Sequence, residues 1–257
     1  MSNRIARAFA RRKAFIPFIT AGDPSLDITE QLVYALEAAG ADLIELGIPF
    51  SDPVAEGPVI EAADERALSG GFNADALFDR IPRMRERTDI PLVFMSYLNP
   101  VFTYGKERFL RRMADCGTDG LIIPDMPYEE RDELAPLCQQ HGVTLIPLIA
   151  PTSRERILRI AAAAEGFVYC VSSLGVTGMR ESLGESVGGM VRMVKSAKDI
   201  PCAVGFGIST PEQAREMAAA ADGVIVGSAI VDLVGRYGKD CVGPVAEFAS
   251  GLRAAIL

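Results

Sequence analysis

At 257 residues, 49% of them hydrophobic and 23% charged, the chain is long enough to bury a full core as one large α/β domain or two small ones, and its composition is that of an ordinary globular protein, with nothing to suggest disorder. A formal charge of −8 and an isoelectric point near 4.9 argue against a nucleic-acid partner, which selects for a basic face; a small anion held by local backbone N–H dipoles stays open. The basic stretch MSNRIARAFARRKAF lacks the apolar segment of a secretory signal, and no run reaches the roughly 18–20 apolar residues of a membrane span, so a soluble, cytoplasmic protein is expected.

Short apolar runs that read as buried strands recur, each followed by a helical pattern. Eight are found, over 14–20, 42–47, 91–95, 120–123, 144–149, 167–171, 202–205 and 223–226. Amphipathic stretches lie between them at 28–39, 74–87, 107–116, 128–140, 154–164, 187–198 and 211–220. Ser153 and Thr210 precede helix starts, and Gly40, Gly117 and Gly142 follow helix ends. Alternating strands and helices build parallel sheets, and eight repeats in one chain predict a single (β/α)8 barrel spanning residues 1–257. A doubly wound open sheet is the alternative. In a barrel of this kind the chemistry sits in the loops at the C-terminal ends of the strands.

The second run carries a carboxylate, Glu45, amid Leu43, Ile44 and Leu46. Burying an ionised carboxylate costs several kcal/mol unless it is paired or protonated. Glu45 is therefore either a proton-transfer group or a rim acid paired with an arginine from a neighbouring loop. Pro49, Pro53 and Pro58 predict a stiff, non-helical loop after it that carries Asp52 and Glu56. Glu45 and Glu56 could thus face one another across a pocket.

Two Gly-rich loops follow the seventh and eighth runs: VGFGIS, with Gly205, Phe206 and Gly207, and VGSAIV, with Gly227 and Ser228 opening a helix. Backbone approach at glycine and free N–H groups at a helix start suit a phosphate, and these are the loops where many barrels hold one. The long SSLGVTGMRESLGES loop, with Thr177 and Gly178, reads as a lid. Tyr169, at the end of the sixth run, either places its hydroxyl beside a carboxylate or is a core tyrosine. His141 reads as a helix C-terminal cap.

No lysine lies on a strand, which removes the nucleophile of a Schiff-base aldolase or a pyridoxal enzyme. A single histidine and five scattered cysteines give neither a metal cluster nor a nucleophile–histidine pair, so no metal is expected and the cysteines read as reduced core residues. Cofactor-free acid/base chemistry by carboxylates on a phosphorylated substrate remains.

The strings FITAGDP, ELGIPFSDPVAEGP, MSYLNPVFTYG, YCVSSLGVTG, VGFGIS and VGSAIV, in this order, closely resemble the tryptophan synthase alpha chain family over nearly the whole sequence. The resemblance implies a carbon–carbon lyase of tryptophan biosynthesis. It cleaves indole-3-glycerol phosphate to indole and glyceraldehyde 3-phosphate, and indole passes to a beta chain in an alpha2beta2 heterotetramer. Pyridoxal phosphate is implied on that beta chain and no cofactor on this one. Glu45 matches the acid/base that protonates indole C3, and Glu56 the carboxylate that meets the indole N–H. Phe18 matches an aromatic packed on the indole, Tyr169 a hydrogen-bonding neighbour of the catalytic acid, and Tyr97 a further substrate-binding residue. Thr177 matches a lid threonine, while Gly178, Gly205, Phe206, Gly207, Gly227 and Ser228 match the phosphate cradle. Pro49 and Asp52 match the surface that docks on the beta chain. One departure stands out: the family usually has Asp where this chain has Glu56, and the extra methylene moves the carboxylate by about 1 Å. Compensation by the loop backbone is the expectation.

Overall fold

The computed structural model describes residues 4–171, 183–205 and 207–256. Nine parallel strands are found among them: β1 (Ala14–Thr20), β2 (Ile44–Gly47), β3 (Leu92–Met95), β4 (Gly120–Ile122), β5 (Thr144–Leu145), β6 (Leu148–Ile149), β7 (Val168–Val171), β8 (Cys202–Gly205) and β9 (Gly223–Val226). Their order is β5-β4-β3-β2-β1-β9-β8-β7-β6. The two ends of that order, β5 and β6, are consecutive in the chain, so the sheet closes on itself as the expected (β/α)8 barrel. The fifth expected strand is split because Pro147 has no N–H to give to a ladder. The seam still holds: the Ile146 N–H donates to Leu121 O at 2.9 Å on one side, and the Tyr169 N–H to Pro147 O at 3.0 Å on the other.

Strand parity sorts the core into two layers. Ala14, Ile16, Leu43, Val93, Ile122, Tyr169, Ala203 and Ile225 fill the barrel interior. Phe15, Ile19, Ile44, Leu46, Phe94, Leu121, Cys170 and Val204 pack against the surrounding helices. All seven residues of β1 are buried, as a strand covered on both faces requires.

Helix starts follow the expected caps: Ser153 accepts from the Arg156 N–H, and Thr210 forms a capping box with Gln213. Gly40, Gly117 and Gly142 stand at positive φ after their helices. The expected 128–140 helix is instead a 3₁₀ turn (Tyr128–Glu133) and a separate α-helix (Ala135–His141), which restarts with Pro136 in its first turn. His141 is no cap: its Nε2 lies 2.8 Å from Glu107 Oε1. Helices unforeseen in the sequence run Arg4–Phe9, Pro58–Ser69, Leu98–Tyr104 and Val242–Ala255. The five cysteines are free and buried.

The end of the barrel away from the strands' C-termini is tied by ions. Asp119 accepts from the Leu92 N–H at 2.9 Å, Arg85 Nη2 at 2.8 Å and Arg4 Nη1 at 3.1 Å. Burial holds Arg85 below its ordinary basicity, with Asp119 opposing that shift. Asp119→Ala strands the buried guanidinium and is expected to cost about 3–5 kcal/mol in urea unfolding. A loss within about 0.5 kcal/mol, the range of ordinary surface changes, would place the stability elsewhere.

Candidate active site

Parity places Leu43 and Glu45 on the inner face of the barrel, with Ile44 and Leu46 outside. The β1–β2 register sets Phe18 directly beside Glu45, and the β6–β7 register sets Tyr169 beside Leu148. At the C-terminal ends of these strands a cavity of about 400 Å³ opens, and Phe18, Glu45, Glu56, Tyr169, Gly207, Gly227 and Ser228 all line it. Seven residues singled out in the sequence thus share one chamber. Its apolar wall adds Ile60, Met95, Pro124 and Leu148, which carried no local signal because only the fold gathers them.

Glu45 is 0% exposed, and neither carboxylate oxygen has a hydrogen-bond partner among the described residues. The arginine-paired reading therefore fails. Burial, reinforced by the charge of Glu56, pushes its carboxyl up to about 8, which makes it a carboxylic acid near neutral pH, ready to give a proton.

Glu56 ends the Pro-rich loop just before the helix Pro58–Ser69. Burial raises its carboxyl, while a hydrogen bond from Tyr97 Oη at 3.4 Å works in the opposite direction. The same Tyr97 oxygen accepts the Ala55 N–H at 2.9 Å, and the Phe50 and Tyr97 ring centroids lie 5.5 Å apart. Tyr97, expected among the substrate-binding residues, stands behind Glu56 and is not part of the cavity wall. Burial and the Glu56 charge push its phenol up to about 12, so it stays a hydrogen-bond donor.

Two glycines permit this close packing. A Cβ at Gly47 would lie 2.5 Å from Phe18 Cζ, and one at Gly205 would collide with the Tyr169 hydroxyl. Tyr169 belongs to the barrel core, as one of its two sequence readings has it, and it also lines the cavity. Burial first, then the charges of Glu45 and Glu56, raise it well above the ordinary phenol range.

At the same cavity, after β9, two strands along the sheet from β2, the helix Ser228–Tyr237 starts without a side-chain cap. Its first internal bonds run from Ile230 N–H and Val231 N–H to Gly227 O at 2.8 and 3.1 Å. The N–H groups of Ser228 and Ala229 precede them, at the cavity's edge, where the helix dipole favours an anion. Ser209 and Gly207 complete this end.

Thr177, Gly178 and Phe206 lie outside the described residues, as does most of the loop read as a lid. Of the two residues expected on a docking surface, Asp52 is exposed, whereas Pro49 is buried in this chain. Val54, 80% exposed, is the apolar residue the loop presents instead. Among the described residues no group of His, Cys, Asp and Glu is placed to hold a metal ion, and no helix is long and apolar enough to cross a membrane.

The family model described as "Tryptophan synthase alpha chain" matches residues 6–254. This chain belongs to the tryptophan synthase alpha chain family. A tryptophan synthase alpha chain from Lacticaseibacillus casei is 48% identical over 256 residues, which are 100% of this chain and 96% of the relative. One from Halalkalibacterium halodurans is 51% identical over 237 residues, 92% and 89% of the two chains. A crystal structure of tryptophan synthase subunit alpha from Legionella pneumophila superposes with a TM-score of 0.89 at 38% identity, covering 100% of this chain and 99% of the other. A chain in a structural study of the tryptophan synthase a2b2 complex from Pyrococcus furiosus superposes with a TM-score of 0.86 at 34% identity, covering 95% and 98%. The resemblance drawn from the motifs, the barrel and the assignment to a lyase of tryptophan biosynthesis are borne out.

Proposed function

We propose that Glu45 and Glu56 together cleave indole-3-glycerol phosphate by a retro-aldol reaction, with the phosphate held at the start of the helix Ser228–Tyr237. The observation that carries this reading is the buried, unpaired carboxyl of Glu45, which shares one cavity with Glu56 and with an uncapped helix start. Glu45, as the acid, gives its proton to indole C3. The positive charge this creates spreads to the ring N–H, where ionised Glu56 stabilises it. Glu45, now a carboxylate, takes the proton from the glycerol hydroxyl. The C–O bond becomes a carbonyl, the C–C bond to the ring breaks, and its electron pair restores indole. Glyceraldehyde 3-phosphate leaves, and Glu45 is again protonated.

Phe18, at the cavity wall between the two ends, packs on the indole. Gly207, Ser209, Gly227, Ser228 and Ala229 offer backbone groups to the phosphate. The sequence motifs assign Thr177, Gly178 and Phe206 to the same ligand. The reaction needs only proton transfer, so this chain carries no cofactor, and pyridoxal phosphate belongs to the beta chain that receives indole. That chain docks on the Asp52–Val54 loop in an alpha2beta2 assembly, which links docking to the position of Glu56. The protein is one barrel domain and works in the cytoplasm.

The test is indole release from indole-3-glycerol phosphate across pH, with and without a beta chain. Because Glu45 acts first as an acid with its carboxyl at about 8, kcat/KM is expected to fall about tenfold per pH unit above that pH, and to fall again on the acid side once Glu56 takes up a proton. No release under either condition, or a rate that rises steadily past pH 9, removes Glu45 as the proton donor.

A further inference from the structure

We propose that Gln213 is a positioning residue for the phosphate end of the site: from the first turn of the helix Pro211–Ala220 its side-chain oxygen fixes Ser209, a residue of the chamber wall. The inference rests on the phosphate seat described above. Between β8 and that helix the chain turns at Gly207, whose φ is 73°. Ile208, 4% exposed, is held by the core beside it. Ser209 is exposed, so apolar packing does not hold it, yet it stands in the wall of the chamber with Gly207, Gly227 and Ser228.

What holds Ser209 is Gln213. Its Oε1 accepts the Ser209 N–H at 2.8 Å, the Ser209 Oγ–H at 3.1 Å and the Thr210 N–H at 3.2 Å. Only the last and longest of these belongs to the capping box, the reciprocal pair in which Thr210 Oγ1 accepts the Gln213 N–H at 3.3 Å. A capped helix start needs nothing beyond that pair. The two shorter bonds reach one residue further back, to the chamber wall.

Gln213 itself is half-buried and does not line the chamber, so it acts through Ser209 and not on the ligand. A donor at a helix terminus commonly serves two acceptors at once, so the Ser209 N–H can meet a phosphate oxygen without leaving Gln213. Because Ser209 is exposed, its two donors would turn to water if the acceptor were removed, and the fold would lose little. The loss falls instead on where the wall stands. A phosphate would then meet a loop that must be ordered before it can bind, and affinity drops by that ordering.

Gln213→Met keeps the length and helix preference of the side chain and removes the acceptor, while Thr210→Ala removes the other half of the capping box and leaves the links to Ser209. For Gln213→Met, the Kd of glycerol 3-phosphate and the KM of indole-3-glycerol phosphate are expected to rise about tenfold, the effect of losing one hydrogen bond to an ion. The kcat should stay within about twofold, because Glu45 and Glu56 stand on and after β2 and the loss is one of binding alone. Affinity for free indole, which carries no phosphate, should not change. Thr210→Ala should lower the urea midpoint and leave the Kd of glycerol 3-phosphate within about twofold of the parent. An unchanged Kd in Gln213→Met overturns the proposal. So does an equal loss of affinity for indole, or a Thr210→Ala variant that binds glycerol 3-phosphate as poorly as Gln213→Met, since either leaves Gln213 a helix cap and no more. If Gln213→Met does not fold, Gln213→Asn, whose amide stops one methylene short of Ser209, decides by the same measurements. A parent chain that does not bind glycerol 3-phosphate removes the phosphate seat and the proposal with it, whereas equal binding by the parent and Gln213→Met removes only Gln213.

Discussion

Glu45→Gln is expected to lower the rate of indole release by about a thousandfold, within the range that positioned proton transfer contributes, while affinity for glycerol 3-phosphate stays nearly unchanged. The substitution keeps size and shape at a site that is 0% exposed, so a loss of rate reports chemistry rather than packing. The fold supplies a second readout of opposite sign. The carboxyl sits near 8 in the folded chain, against an ordinary value of 4.5. Between those two pH values the native state keeps a proton that the unfolded state has lost, so stability falls as pH rises through this window and levels off above it. The amide has no proton to lose. At pH 9 the variant should therefore resist urea better than the parent, and at pH 4 the two should coincide. A variant that is both fast and no more stable at pH 9 would show that Glu45 is neither the donor nor a strained ion.

Glu56→Asp is expected to slow the reaction by up to about a hundredfold, although it restores the residue common in the family. The loop here is pinned by the Ala55 N–H on Tyr97 and reaches the cavity with a glutamate. Shortening the side chain withdraws the carboxylate by about 1 Å from the indole N–H, and displacements of that size cost rates of this order. The effect should fall on kcat, with KM nearly constant. A variant as fast as the parent would mean that the backbone has not adapted to the longer acid, contrary to the expectation drawn from the sequence.

What could be read in the sequence depended on whether the signal was local. A carboxylate inside the apolar run Leu43–Leu46 is a local signal, so Glu45 stands out in the sequence, although its face follows only from the folded strand. The glycines before Ser228 were local too, because a helix start announces itself in the chain. The helix Pro58–Ser69 is hidden because Pro58 suits the end of a rigid loop as well as the first turn of a helix. The break in the fifth strand has a visible sign, Pro147, inside an otherwise apolar run. The burial of Pro49 and the place of Tyr97 behind Glu56 have no local sign. Each depends on which segments the barrel brings together, and nothing in their own neighbourhoods distinguishes them from ordinary loop and strand-end residues.

The pairing of β1 with both β2 and β9 sets the spacing of the whole chamber. Phe18 lies next to Glu45 in register, its ring meets Gly47, and its Cβ is 3.5 Å from where a Cβ on Gly227 would stand. A single strand therefore fixes the separation between Glu45 and the start of the helix Ser228–Tyr237, with no hinge between them. The barrel works as a gauge block: for a ligand seated as proposed, with its ring at Glu45 and its phosphate at that helix start, an analogue with one carbon fewer between ring and phosphate is expected to lose one of the two contacts.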